Sequence, residues 1–201
     1  MSAGNAISLL HIGKLVMPHR QSLCLVRTLA PGHAIVRASL PVTPGSAVTL
    51  GLRNGMGIVA RVGSAHGERI MLAFPRPIAM ERLVKEQARG RAGPESVRLA
   101  VSGSASVTVD DRTMVAPLRD ISLFGVRLDD PAGALRPGAQ VMLHIAGLAR
   151  RSATVRWQQD GQAGLRFAFS LGYELLDGWL AAQAPHPTAF AMPDHAAMPP
   201  P

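Results

Sequence analysis

Two halves of this sequence carry the same order of strand and turn signals, and this repetition limits the possible folds more than any other feature. When Arg27 is aligned with Arg119, the turn pair Pro44-Gly45 falls within one residue of Pro137-Gly138. Short apolar runs follow each turn at similar spacing. Self-similarity at a fixed distance is typical of a repeated structural unit. The sequence therefore predicts an internal duplication of about 70–90 residues.

Each unit is predicted to be built from short antiparallel strands. In the second unit, Val141, Leu143 and Ile145 alternate with two other side chains, which is the period of a half-buried strand. The Pro-Gly pairs and Asp160-Gly161 supply tight turns. Hydrophobic residues make up 47% of the chain but aromatic residues only 4%, so the core is expected to be aliphatic. The predicted fold class is mainly β, with two small antiparallel β-barrels.

Two helices are predicted beside the barrels. Residues 78–89 contain good helix formers and stop at Gly90, so they form a short linking helix. Residues 171–183 place apolar side chains at helical spacing and form a C-terminal helix that packs on the second barrel. The predicted organisation is a flexible N-terminus (1–15), a first barrel (16–77), a linking helix with an Arg/Gly segment (78–93), a second barrel with its C-terminal helix (94–183) and a disordered Pro/Ala-rich tail (184–201).

The positive charge lies almost entirely in the first half of the chain. Residues 1–94 carry 12 Lys+Arg and 3 Asp+Glu, a net charge of +9, whereas residues 95–201 carry 9 and 10, a net of −1. A basic half can attract phosphates, nucleic acid or an acidic protein face. Arginines that only keep the surface soluble are an equally good interpretation.

The sequence predicts a cytoplasmic protein that is not an enzyme. Its one cysteine, Cys24, lies in the apolar run Leu23–Val26, so its side chain is expected to be buried. A single cysteine cannot form an internal disulfide, which indicates a reducing compartment. No apolar run approaches the roughly 18–20 residues of a membrane span, and the N-terminus lacks the apolar core of a signal peptide. The seven histidines show no metal-ligand spacing, and no catalytic motif occurs.

The segment from Asp120 to Gly125 carries the clearest functional pattern. The Asp120 carboxylate can accept N–H donors, and the Ser122 hydroxyl can donate to a phosphate or a base. Gly125 lacks a Cβ, so a flat base could approach the backbone closely. In its order of strands and turns, this D-x-S-x-x-G segment resembles the PilZ domain family over residues 94–170, and residues 16–84 resemble it more loosely.

The resemblance implies a barrel that binds the bacterial second messenger cyclic di-GMP. Ligand-binding members also carry R-x-x-x-R just before the first strand. Arg98 stands at the second arginine of that signature, but Pro94 occupies the first position. Arg89 and Arg91 lie in a nearby glycine-containing segment and are the candidates for the missing role. A planar guanidinium stacks on purines and binds phosphate oxygens in pairs.

Simpler interpretations of the same residues stay open. Asp120 and Ser122 can cap a turn through hydrogen bonds to the backbone. Arg98 can be a solvated residue at the entry to a strand. Trp157 is interpreted as packing in the core or at the barrel edge.

The first unit lacks the ligand signature. Thr28, Ala30 and His33 stand where the motif requires Asp or Asn, Ser and Gly. We therefore expect a degenerate PilZ-like barrel with a structural or protein-binding role.

The leading hypothesis is a cyclic di-GMP receptor in bacterial second-messenger signalling, with Arg98, Asp120, Ser122, Gly125 and either Arg91 or Arg89 as its site. The alternative is a ligand-independent adaptor that acts on a protein partner of unknown identity. Nucleic-acid binding ranks below both, because Phe74 is the only aromatic residue in residues 1–94 that could stack on bases.

Overall fold

A computed structural model describes residues 7–53, 55–81, 96–130 and 132–183. These residues form two closed six-stranded antiparallel barrels and one C-terminal helix, which confirms the predicted fold class. The first barrel contains β1 (Ile7–Met17), β2 (Arg20–Ala30), β3 (His33–Arg37), β4 (Ala47–Gly51), β5 (Gly57–His66) and β6 (Arg69–Ala73). Its strands follow the order β1-β2-β3-β6-β5-β4, and β4 closes the barrel on β1.

The second barrel repeats this order. A short strand, β7 (Leu99–Ala100), pairs with the barrel strand β9. The barrel itself is formed by β8 (Ser104–Val109), β9 (Arg112–Ser122), β10 (Gly125–Asp129), β11 (Gln140–Ile145), β12 (Arg151–Gln159) and β13 (Gln162–Phe167). The order β8-β9-β10-β13-β12-β11 closes on β8, and the helix α1 (Tyr173–Ala182) packs against this barrel.

The duplication is visible in the strand register as well as in the strand order. In β2 an extra residue, Arg27, shifts the register against β3, and in β9 Arg119 does the same against β10. Such β-bulges bend a strand and re-aim the side chains beside it. The two bulges place Thr28 of the first barrel at the position that Asp120 occupies in the second. The predicted duplication is therefore confirmed at the level of single residues.

Each barrel encloses its own aliphatic core because alternate side chains of each strand point inward. In β11, Val141, Leu143 and Ile145 are buried and the residues between them are exposed, as the sequence pattern predicts. Two residues of the first barrel differ: Leu23 of β2 is fully buried in the core of the second barrel, and half-buried Ile12 of β1 packs against that core. The two barrels are therefore in direct contact through β1 and β2.

The first barrel begins earlier than the sequence pattern indicates. Residues 1–15 are expected to form a flexible N-terminus, but β1 already runs from Ile7 and pairs with both β2 and β4. The expectation was wrong for residues 7–15 because Gly13 and Lys14 interrupt the apolar run. In a strand only alternate positions need to be apolar, and buried Leu15 alternates with half-buried Lys14.

Several predicted segments lie outside the described residues. The linking helix is described only at its start, up to Glu81, and the Arg/Gly segment and the tail at 184–201 are not described. Among the residues that are described, no helix is long and apolar enough to span a membrane.

Cys24 is fully buried in the core of the first barrel, as predicted. Burial raises the pKa of its thiol far above the usual value, because the thiolate would lose its hydration. Since the thiolate is the reactive form, we expect an aromatic disulfide reagent to label the native protein at least about 100-fold more slowly than the unfolded protein. Labelling of one thiol per chain in guanidinium chloride is the control, and equally fast labelling of the native state would contradict the prediction.

Candidate functional site

The second barrel holds a carboxylate between two arginines. Asp120 lies on β9 directly opposite Arg127 of β10, next to the bulge at Arg119. Its Oδ2 is 2.7 Å from Nη2 of Arg127, and its Oδ1 accepts a hydrogen bond of 2.5 Å from Nε of Arg98. Arg98 reaches Asp120 because the adjoining strand β7 pairs with β9, placing Ala100 beside Asp120. The sequence predicted Arg98 and Asp120 as partners in one site, and the structure brings them into contact.

This ion-pair cluster is only partly closed to solvent. The Asp120 side chain is 6% exposed, whereas those of Arg98 and Arg127 are 38% and 43% exposed. Each guanidinium has five N–H donors, and the contacts to Asp120 engage one nitrogen of each. Asp120 therefore fixes the two cations in place, and their outer faces remain open to a ligand.

The cluster lines a cleft of about 410 Å³, which is large enough for a small-molecule ligand. The lining residues are Lys14, Arg98, Ala100, Asp120, Arg127 and Trp157. Three cations and one carboxylate give the cleft a net charge of +2. Such a site attracts anions.

Trp157 provides a flat surface in the cleft. It lies on β12 at a register shift, opposite Gly164 of β13, and it is 42% exposed. A Cβ on Gly164 would lie 2.1 Å from the indole Nε1, so the ring rests against the glycine backbone. A partly exposed indole can stack on a base. The sequence interpretation of Trp157 as packing alone missed this, although Gly164 across the Asp160-Gly161 hairpin was a signal for it.

Ser122 and Gly125 shape the hairpin between β9 and β10. The buried Ser122 hydroxyl donates to the Gly125 carbonyl at 3.2 Å and accepts from the Phe124 N–H at 3.3 Å. A Cβ at Gly125 would lie 2.0 Å from the Leu165 carbonyl oxygen, so this glycine lets β13 approach. Ser122 thus caps the turn through the backbone, as the turn-capping interpretation expects, whereas the Asp120 carboxylate contacts the Arg98 and Arg127 side chains. Direct contact of Ser122 or Gly125 with a ligand stays a prediction.

The remaining predicted arginines lie outside the described residues. Arg89 and Arg91, together with Pro94, fall in the undescribed segment 82–95. Among the described residues, no group of three or more His, Cys, Asp or Glu side chains could hold a metal ion.

Lys14 is the unexpected member of the cleft, because it comes from β1 of the first barrel. Its ammonium donates a hydrogen bond of 2.7 Å to the Arg98 carbonyl. Burial lowers the pKa of Lys14, and the nearby Asp120 carboxylate opposes this shift by favouring the charged form. Nothing in the sequence links residue 14 to residue 120, since only the packing of the two barrels brings them together.

The equivalent surface of the first barrel lacks these groups. By strand register, Thr28 replaces Asp120 and Ile35 replaces Arg127. Ser64 and Met71 likewise replace Trp157 and Gly164. The first barrel therefore has neither the carboxylate with its paired arginine nor the exposed indole.

Several solved structures are similar to this chain at low identity. The complex of Borreliella burgdorferi PlzA with c-di-GMP is 8% identical, with 87% of this chain and 92% of that chain covered and a TM-score of 0.37. The Bacillus subtilis inhibitor of motility (MotI/DgrA) is 10% identical, with 87% and 96% covered and a TM-score of 0.36. Escherichia coli YcgR in complex with c-di-GMP is 12% identical, with 86% and 81% covered and a TM-score of 0.32. Curated protein sequences give no match.

A protein-family model assigns the second barrel. The model of the PilZ domain matches residues 94–177, a span that starts ahead of Arg98 and ends within α1. It includes the whole second barrel and the Asp120–Gly125 hairpin. Residues 94–177 of this chain are therefore a PilZ domain.

Proposed function

We propose that this protein is a receptor for cyclic di-GMP, which binds in the cleft around Asp120. The observation that carries the proposal is the fixed arrangement of Arg98, Asp120 and Arg127 at the mouth of a cleft in a PilZ domain. Cyclic di-GMP carries two phosphodiesters, each with one negative charge, and two guanine bases. The net charge of +2 in the cleft complements the two phosphates.

Each group in the cleft has a chemical counterpart on this ligand. The outer nitrogens of Arg98 and Arg127 can donate to phosphate oxygens or to the guanine O6 and N7 acceptors. Asp120 oxygens retain lone pairs for guanine N–H donors. The Trp157 ring offers a face on which a guanine can stack. The proposal is a binding protein that acts in the bacterial cytoplasm as a signalling effector, with no catalytic step.

Calorimetric titration with cyclic di-GMP tests the proposal. We expect binding by the unaltered protein and about 30-fold weaker binding by Arg98→Ala, because a charge-assisted hydrogen bond contributes roughly 1.5–3 kcal/mol. Arg119→Ala is the matched control, since Arg119 lies beside Asp120 on β9 but pairs with Asp129 outside the cleft. The absence of any heat of binding at high micromolar ligand would refute the receptor.

A ligand-independent adaptor is the second candidate, and the first barrel favours it. By strand register that barrel lacks the equivalents of Asp120, Arg127 and Trp157, and its strands keep the full barrel topology. A barrel preserved without its ligand groups can serve a protein partner. Affinity purification that recovers the same partners with and without cyclic di-GMP would support the adaptor, whereas strictly ligand-dependent partners would contradict it.

A further inference from the structure

The position of Lys14 is set by the backbone of the first barrel. Lys14 pairs with Leu23 of β2 on one side and with Gly51 of β4 on the other. A Cβ on Gly51 would lie 2.8 Å from Cγ of Lys14 and 3.1 Å from its Cε. The lysine stem therefore lies across the bare glycine backbone. This packing directs the Lys14 ammonium away from the first barrel and into the cleft, which Lys14 lines.

Contacts between the barrels hold this geometry. Leu23, the neighbour of Lys14 on β2, is buried in the core of the second barrel. Gln21 accepts a hydrogen bond of 3.3 Å from the backbone N–H of Ala100, which itself lines the cleft. Ser22 contacts Asp177 of α1 at 3.5 Å. The Lys14 ammonium is thus held by packed strands on both sides of the cleft.

We propose that Lys14 is a phosphate-binding residue of the cyclic di-GMP site and takes the role left empty by Pro94. This inference rests on the proposed function. An ammonium carries three donors, and the Arg98 carbonyl accepts one of them. The other donors are available to a phosphate oxygen. A half-buried cation has already lost part of its hydration, so it loses less on binding an anion than a fully hydrated one.

The placement of Lys14 also couples ligand binding to the arrangement of the barrels. A ligand held by Lys14 of the first barrel and by Arg98 and Arg127 of the second contacts both units at once. It therefore binds most tightly to the arrangement in which β1 faces β7 and β9. A ligand with different affinities for two arrangements shifts the population toward the favoured one.

Calorimetry on Lys14→Met tests the inference. Methionine keeps an unbranched apolar stem over Gly51 and removes the charge. We expect cyclic di-GMP to bind Lys14→Met at least about tenfold more weakly, and Lys14→Arg to retain most of the affinity. Arg27→Gln is the control for lost positive charge, because Arg27 is exposed on the first barrel and lies outside the cleft.

The outcomes distinguish the role of Lys14 from the proposed function as a cyclic di-GMP receptor. Weak binding by Lys14→Met alone supports the role of Lys14. Equal affinities in all the variants overturn that role and leave the receptor in place. No binding by the unaltered protein overturns both.

Nuclear magnetic resonance gives a second, direct readout. The sequence contains two lysines, Lys14 and Lys85, so ¹³C reductive methylation produces few signals, and the Lys14→Met protein identifies the one from Lys14. We expect this signal to move when cyclic di-GMP is added, because a phosphate changes the field at the ammonium. A signal that stays in place while calorimetry records binding would overturn the inference.

Discussion

Gly125→Ala is expected to destabilise the PilZ domain by about 3 kcal/mol or more. The added Cβ would lie 2.0 Å from the Leu165 carbonyl oxygen and 3.0 Å from its carbonyl carbon. Both atoms belong to the backbone of β13, so no side-chain rotation can relieve the clash. Strands β10 and β13 would have to separate, and the hydrogen bonds between them would be lost.

Chemical denaturation followed by tryptophan fluorescence measures this effect. Trp157 lies on β12 and Trp179 packs in the core of the same barrel, so both tryptophans of the chain report on the PilZ domain. Gly178→Ala is the matched control, because Gly178 is an exposed position of α1 with no atom near the added Cβ. That change should stabilise the helix by up to about 1 kcal/mol. Equal midpoints for Gly125→Ala and the unaltered protein would refute the steric role.

Gly125 also illustrates what a motif can and cannot predict. The sequence identifies a position where a side chain is excluded, and the structure agrees. It does not identify the protein group that comes close, which is the Leu165 carbonyl. Which atom approaches depends on how β10 pairs with β13 across the barrel, and no local pattern encodes that distance.

The sequence predicted the two-barrel architecture better than it predicted where each strand begins and ends. Alternating apolar residues and repeated Pro-Gly turns predict two barrels, because each unit repeats the same local sequence pattern. The start of β1 at Ile7 was missed because Lys14 interrupts the apolar pattern. The partial burial of Lys14 depends on the second barrel, whose residues lie far away in the sequence.

The residues of the candidate site also differ in whether the sequence could predict them. Asp120 and Arg98 could be predicted from a family motif. Arg127 could have been found from the hairpin alone, because pairing Ser122 with Gly125 places Asp120 opposite Arg127 two positions further. Lys14 could not have been found, since its presence in the cleft depends on packing between two units.

Asp120→Ala is expected to weaken cyclic di-GMP binding about 100-fold, the largest loss for any single change in the cleft. The carboxylate holds Arg98 and Arg127 at 2.5 and 2.7 Å, and without it both side chains must be ordered by the ligand itself. The guanine also loses an acceptor. Simple charge attraction predicts the opposite, because the net charge of the cleft would rise from +2 to +3.

Recognition of the nucleotide and simple charge attraction therefore predict opposite effects of Asp120→Ala, and comparing two ligands distinguishes them. Pyrophosphate has no base to recognise, so its binding is expected to stay equal or strengthen while that of cyclic di-GMP falls. Asp129→Ala is the matched control, since Asp129 forms a similar ion pair with Arg119 at 2.7 Å on the same hairpin but outside the cleft. The partial exposure of Arg98 and Arg127 lets water solvate them once Asp120 is removed, so the domain should still fold, which the fluorescence assay verifies. Undiminished or tighter binding of cyclic di-GMP by Asp120→Ala would mean that the cleft attracts anions by charge alone and that Asp120 does not recognise the nucleotide.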